Sequence, residues 1–414
     1  MPSAISASLS SSIRHGAWLE IDLTALAHNA RVLRRAIPAG TRLGILAKAN
    51  GYGHGLEMAA RAALAGGADE LVVANLEEGR ALRRAGLQAP VLVVYPIPVE
   101  RIAEAVEAGL EVSLTGLRAG RRLLEEWAAL ESRPTRNLLL HVEVDSGMGR
   151  GGVTPGDMPE MLRLIDGAAD AELAGIWSHL TDGSDADRSG AQVERFEAAL
   201  ADVVATRRPL PPRHLVATEG LFARTGPAYE MVRIGLGFYG ELGVGVEPAP
   251  ERAGLAAELR PAMAVKARPV RLEVMPTGAT VGYGAEWRAQ RESIVVTLPI
   301  GYADGWTRAY WPGAFTLVRG RRAPLVGRVS MDSVCVDVTD VDGVSLDDEF
   351  VLLGAQGEER ITPGELALLR GTIINEVFCA FGPRLPRVYT DDNGVVAVLH
   401  GADQLEHSPG RGWR

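Results

Sequence analysis

One lysine, Lys48, closes an apolar run and is followed at once by a glycine-rich loop in the segment LAKANGYGHG at residues 46–55. At the carboxyl end of a strand, such a side chain lays its stem on an apolar wall and points its amine at the loop. Desolvation there favours the neutral amine, which condenses with a carbonyl or accepts a proton. Tyr52 in the same loop offers a hydroxyl to an anionic oxygen. Read alone, the segment is equally an ordinary strand-to-loop turn with a solvated lysine. Further along, VDSGMGR at residues 144–150 ends on Arg150, whose guanidinium can grip a carboxylate or phenolate. AGIWSH ends on His179, HLVATEG contains Thr218, and MVRIGLGFYG sets Arg233 ahead of Gly235, Leu236 and Gly237, whose amides could hold a phosphate. A lone histidine is more often a satisfied core residue, and a surface ion pair is the ordinary alternative for Arg150, which its two glycines make the weaker one, so the surrounding elements must decide.

Those elements follow a regular pattern from Trp18 to about Gly240. Short apolar runs (LGILAK, LVVANL, VLVVYP, LEVSL, LLLHVEVD, LAGIWSH, RHLVAT, MVRIGLGFY) alternate with amphipathic helical stretches such as LEMAARAALAGG and RIAEAVEAG. About eight such units predict a closed (β/α)8 TIM barrel, in which the carboxyl ends of the strands share one rim. Lys48, Arg150, His179, Thr218 and Arg233 then converge, and a rim so rich in cations and donors suits an anionic, phosphorylated ligand. After about residue 250 the texture turns to valine-rich runs bounded by glycine and proline, predicting a mostly β C-terminal domain. The overall expectation is an α/β fold with a flexible lead-in at residues 1–17, a barrel over 18–248 and a β-rich domain over 249–414.

The 414 residues are 47% hydrophobic, enough for two sizeable cores, and carry a net charge of −9 that argues against a nucleic-acid surface. No apolar segment is long enough to cross a bilayer, and residues 1–15 read as a lead-in, not a signal peptide. Two cysteines, Cys335 and Cys379, lack metal-type spacing, so neither a disulfide framework nor a metal site is expected and a cytoplasmic location is.

Taken together the motifs resemble the alanine racemase family over nearly the whole chain, from WLEIDLTALAHN at residues 18–29 to RLPRVY at 384–389. AKANGYGHG, DSGMGR and MVRIGLGFYG match in the first domain; GYG at 282–284, IGYADG at 300–305, GRVSMD at 327–332 and GTIINEV at 371–377 follow in family order. The resemblance implies pyridoxal 5'-phosphate carried on Lys48, and two opposed bases, Lys48 and Tyr283, the latter reaching in from the partner subunit of a homodimer. Removing a proton from one face of an α-carbon and returning one to the other requires such a pair. It implies that Arg233 faces the pyridine nitrogen with His179 hydrogen-bonded behind it, both counted with the catalytic residues. Arg150 orients the cofactor phenolate and the substrate carboxylate, the Met331 amide meets that carboxylate, and Tyr302 lines the entrance. Tyr52, Thr218, Gly235 and Leu236 would hold the phosphate.

Three positions depart from the family. Glu143 stands where a carbamate-bearing lysine is common, and its carboxylate would position Arg150 without carbon dioxide. Ala217 and Thr218 replace an asparagine-serine pair, keeping a hydroxyl for the phosphate. Asn375 replaces a tyrosine that crowds the substrate, predicting a roomier pocket with an amide suited to a hydroxyl. The reading is therefore racemisation of a small amino acid, L-alanine to D-alanine first, with a serine or broad-spectrum racemase as the alternative. Retro-aldol cleavage of a β-hydroxy amino acid and a non-catalytic cofactor carrier rank lower, the first for want of a metal cluster, the second because a carrier has no use for Tyr283 and Met331.

Overall fold

A computed structural model describes residues 16–206, 210–402 and 404–408. Strand β1 (Ala17–Asp22) is followed by eight parallel strands: β2 (Arg42–Leu46), β3 (Glu70–Val73), β4 (Val91–Val93), β5 (Glu111–Leu114), β6 (Leu138–Glu143), β7 (Ala171–Trp177), β8 (Arg213–His214) and β9 (Met231–Ile234). β2 to β9 pair in sequence order, and β9 pairs back onto β2 to close the barrel. Each corresponds to one of the eight apolar runs read from the sequence. β3, β4, β5 and β9 are buried along their whole length, as strands covered on both faces must be. Val72, Leu92, Val94, Trp177 and Met231 pack together as one of the apolar clusters of the barrel.

The helices between strands form where local signals agree. In Leu76–Arg84 the Asn75 side chain accepts the Glu78 amide at 2.9 Å, Glu77 and Glu78 sit in the first turn, Arg83 and Arg84 in the last. Cap and charges both complement the helix dipole, and the buried face is Leu76, Gly79 and Leu82. A helix that positions a functional loop is thereby pinned at its N-terminus.

The second compact unit is not continuous in sequence. It holds the described residues up to Ala25, the short stretch Tyr52–Met58 and the chain from Pro261 onward, while Leu26–Gly51 and Ala59–Arg260 make up the barrel unit. The dominant element is a twelve-stranded sheet. Inside it β1 pairs antiparallel with β10 (Met263–Ala267) and parallel with Arg387–Asp391. Trp18 is fully buried there against Val388, Val395 and Val398. β1 therefore belongs to the β-rich unit and not to the barrel as the sequence division at 18–248 has it; its run AWLEID alternates toward a sheet whose other strands lie some 240 to 370 residues away. Of the expected lead-in, residues 1–15 lie outside the described residues, and Ala17 is already strand. At Gly55, with φ +98°, an added Cβ would lie 1.8 Å from the Tyr389 hydroxyl, so only glycine lets this stretch pack on Arg387–Asp391.

Candidate active site

Lys48 stands two residues past the end of β2 and begins a short left-handed turn: Ala49, Asn50, Gly51 and Tyr52 all have φ between 49° and 61°. Non-glycine residues adopt this conformation only when the surroundings over-determine it. Here the Glu78 carboxylate does so. Its two oxygens accept the Ala49 amide at 2.7 Å and the Ala74 amide at 2.8 Å, tying the Lys48 turn to the loop after β3. The Gly51 amide donates to Ala47 O at 2.7 Å, and the Tyr239 hydroxyl donates to Leu46 O at 2.8 Å, so the strand end before Lys48 is also held.

Arg233 lies within β9, not past its end, and is 4% exposed. Its Nη1 donates to His214 O at 2.9 Å and meets His214 Nδ1 at 2.7 Å, while Nη2 donates to Ser178 O at 2.7 Å. The Trp177 ring lies 4.8 Å from its guanidinium carbon. Burial pulls the guanidinium down to about 10, opposed by Glu143 and Glu70, so it stays charged at neutral pH. The ring hydrogen-bonded behind Arg233 is thus His214 and not His179, because β8 ends beside β9 and turns the His214 side chain into the barrel. His214 Nε2 stands 3.0 Å from His141 Nδ1, and His141 Nε2 stands 2.6 Å from Glu111 Oε2. His179 lies nearby; burial first, then Arg233, Arg150 and Lys48, push it down to about 3, so its ring is neutral.

The Arg150 loop is shaped by its own backbone. Asp145 Oδ1 accepts the amides of Gly147 at 2.9 Å and Gly149 at 3.0 Å. Gly152 has φ +115° with an added Cβ only 2.4 Å from the Asp145 amide, which closes the loop back on β6. Glu143 is buried, and burial raises its carboxyl to about 7 against the pull of Arg150 and Arg233. The Arg150 charge acts on the Glu143 carboxyl, as the sequence leads one to expect, through electrostatic attraction. Thr218 is buried at the start of Thr218–Ala223 and accepts the Gly237 amide at 3.1 Å, keeping its own proton to donate beside Gly235 and Leu236. Ala217 supplies no side-chain cap to that helix, the visible effect of the missing asparagine.

The β-rich unit gathers the remaining candidates. Tyr52 is buried and hydrogen-bonds the Asn375 side chain; burial raises its phenol well above its ordinary range. Tyr302 donates its amide to Ser330 O at 3.1 Å and Ala303 donates to Met331 O at 3.0 Å, which sets Tyr302 and Met331 side by side. Gly282, next to Tyr283, packs on the Arg328 backbone of the same loop cluster. Tyr283 is 65% exposed and Met331 51% exposed, large apolar surfaces turned outward from the single chain. Among the described residues no group of three or more His, Cys, Asp or Glu could hold a metal ion, and no helix is long and apolar enough to cross a membrane.

The family model for the N-terminal domain of alanine racemase matches residues 21–242, and that for its C-terminal domain matches 262–389. The chain belongs to the alanine racemase family. An alanine racemase of Symbiobacterium thermophilum is 39% identical over 379 residues, covering 90% of this chain and 96% of that one. Among solved structures, alanine racemase from Bacillus anthracis with bound L-Ala-P superposes with a TM-score of 0.85 at 29% identity, over 94% of this chain and 98% of that one. A histidine racemase from Leuconostoc mesenteroides superposes with a TM-score of 0.80 at 25% identity, over 91% and 98%. Like its relatives in the alanine racemase family, this chain is an amino-acid racemase with a barrel and a mostly β domain.

Sequence reasoning missed Glu78, Glu111, His141 and His214. The two histidines stand in quoted strand runs, LLLHVEVD and RHLVAT, where a polar residue inside an apolar run is the available signal. Glu78 carries none, since in LEEGR it reads as a first-turn acid like Glu77.

Proposed function

We propose that this racemase binds pyridoxal phosphate and interconverts the enantiomers of a small amino acid, alanine first. The observation that carries the reading is the Lys48 amine on a strained, doubly anchored turn, in the same barrel as a buried, charge-fixed Arg233 and the Thr218 hydroxyl. These residues fit the cofactor: Lys48 to carry it, Arg233 for its ring nitrogen, Thr218 with the Gly235 and Leu236 amides and Tyr52 for its phosphate, and Arg150 for its phenolate and the substrate carboxylate. When bound, pyridoxal phosphate supplies the electron sink that acidifies the α-proton.

The chain's own part is proton transfer and placement. Lys48 moves a proton at one face of the α-carbon, and Tyr283 of the partner subunit moves one at the other. Arg233 keeps a permanent charge at the ring nitrogen; a neutral His179 adds no competing acid, and Met331 and Tyr302 border the substrate. The outward exposure of Tyr283 and Met331 supports their use across a homodimer interface. Nuclear magnetic resonance of alanine, serine and larger amino acids in deuterium oxide with the holoenzyme tests this directly. α-Proton exchange with appearance of the D-enantiomer is the expected result, and exchange with none of them would overturn the reading.

One observation favours a broader substrate range. Asn375 bonds Tyr52 through its amide instead of filling the region with an aromatic ring, leaving space and a polar group for a hydroxymethyl side chain.

A further inference from the structure

Arg233, His214, His141 and Glu111 form one line through the barrel interior, from β9 across β8 and β6 to the first residue of β5, in steps of 2.7, 3.0 and 2.6 Å. The direction of this line is fixed by its first member. A guanidinium only donates, so His214 Nδ1 must accept and its proton sits on Nε2. That N–H points at His141 Nδ1, which must accept in turn, placing the second ring's proton on Nε2 as well. The last N–H needs an acceptor, and Glu111 Oε2 is the one in reach. Reversing any step sets N–H against N–H at Arg233.

We infer that Glu111 is a positioning residue for Arg233, acting through His141 and His214: its carboxylate fixes both rings as Nε2–H tautomers and leaves His214 Nδ1 bare toward the guanidinium. The consequence for catalysis rests on the function proposed above, whereas the tautomer pattern belongs to the barrel itself. Glu70 cannot serve as the terminal acceptor. It is fully buried, pairs with Arg42 at 3.5 Å and makes no hydrogen bond through either oxygen, and burial and Glu111 raise its carboxyl above the usual range. Glu111 behaves oppositely: burial opposes its ionisation, but the hydrogen bond from His141 and the charges of Arg42 and Arg83 outweigh it and hold its carboxyl below the usual range. Burial, followed by the charge of Arg233, keeps His214 neutral, as the line requires. Because Arg233 also donates to His214 O, a change of ring orientation disturbs the arginine at two points.

The test uses full-length protein labelled with 15N-histidine, examined by long-range proton–nitrogen spectra with and without pyridoxal phosphate, in the parent, Glu111→Gln and Glu111→Leu. The parent and Glu111→Gln, which keeps an acceptor, should show His141 and His214 as Nε2–H tautomers, with kcat for the Gln variant within about threefold of the parent. Glu111→Leu should lose that pattern, with kcat down about 10-fold and KM little changed, as happens when a partner behind a reacting group is removed. A proton on Nδ1 of either ring in the parent overturns the inference, and this outcome stands even if the Leu variant fails to fold. An unchanged pattern in Glu111→Leu overturns it too. A parent with the expected tautomers but no racemase activity would sink the proposed function and leave the positioning of Arg233 intact.

Discussion

Removing the Glu78 carboxylate should release the Lys48 turn. Left-handed backbone costs about 1–2 kcal/mol per non-glycine residue, less for asparagine, so Ala49, Asn50 and Tyr52 together store roughly 3–4 kcal/mol. Against this stand two amide bonds to a carboxylate at 2.7 and 2.8 Å. Hydrogen bonds to charged groups contribute about 1.5–3 kcal/mol each, the lower end applying to a partly exposed acid, so Glu78 supplies about 3 kcal/mol of the hold. In Glu78→Ala the turn can relax toward right-handed geometry and redirect the Lys48 amine. At 1.4 kcal/mol per factor of ten, pyridoxal phosphate affinity should fall about 100-fold. The assay is titration of cofactor into cofactor-free protein. Glu77→Ala is the control, since Glu77 sits one residue earlier on the same helix and pairs with Arg101 instead. A Glu78→Ala protein that binds cofactor as tightly as the Glu77→Ala control would refute the reasoning.

Other expectations follow from the same geometry. Glu143 has a folded-state carboxyl raised from 4.5 to about 7, so its contribution to stability is intact below pH 4.5 and is lost as pH rises through 7. At 1.36 kcal/mol per pH unit that is about 3 kcal/mol at most, so Glu143→Gln without cofactor should melt higher than the parent at pH 8 and match it near pH 4.5. Asn375→Tyr should lower the serine-to-alanine ratio of kcat/KM; a ratio no higher in the parent than in this variant would exclude the broader pocket. Trp18→Ala should cost about 3–5 kcal/mol in denaturant unfolding, the value for a buried aromatic, because Trp18 packs with Val388, Val395 and Val398 in the β-rich unit. A loss below about 1 kcal/mol would mean that β1 is not anchored there.

The barrel was legible because each of its strands is an apolar run followed by a helix of opposite texture, a purely local signal. β1 was not, since AWLEID has the same texture and its partners, Met263–Ala267 and Arg387–Asp391, lie far along the chain. The placement of Lys48, Thr218 and Arg233 in the barrel followed from position relative to strand ends, although Arg233 proved to lie inside its strand. What stood behind them was less accessible. Whether His179 or His214 meets Arg233 depends on which way each side chain turns from neighbouring strands, and the strand boundary of β8, only two residues long, cannot be read to that accuracy. The left-handed turn after Lys48 had no signature beyond its glycines, because Ala49 and Asn50 are held in it by Glu78, a residue nearly thirty positions away.

The pairing of β1 with Arg387–Asp391 also sets a timetable during synthesis. At roughly 5–20 residues per second, the parallel partner of Asp22 leaves the ribosome about 20–70 s after Asp22 itself, long after every strand of the barrel has emerged. The antiparallel partner β10 emerges first, some 240 residues after β1; until then the segment carrying Trp18, Leu19 and Ile21, all fully buried in the finished protein, has no strand to pair with, and its second edge stays open until Arg387–Asp391 arrive. The nascent chain thus carries an apolar strand with at least one open edge through most of its synthesis, and Arg387–Asp391 close that edge only after β10 has covered the other.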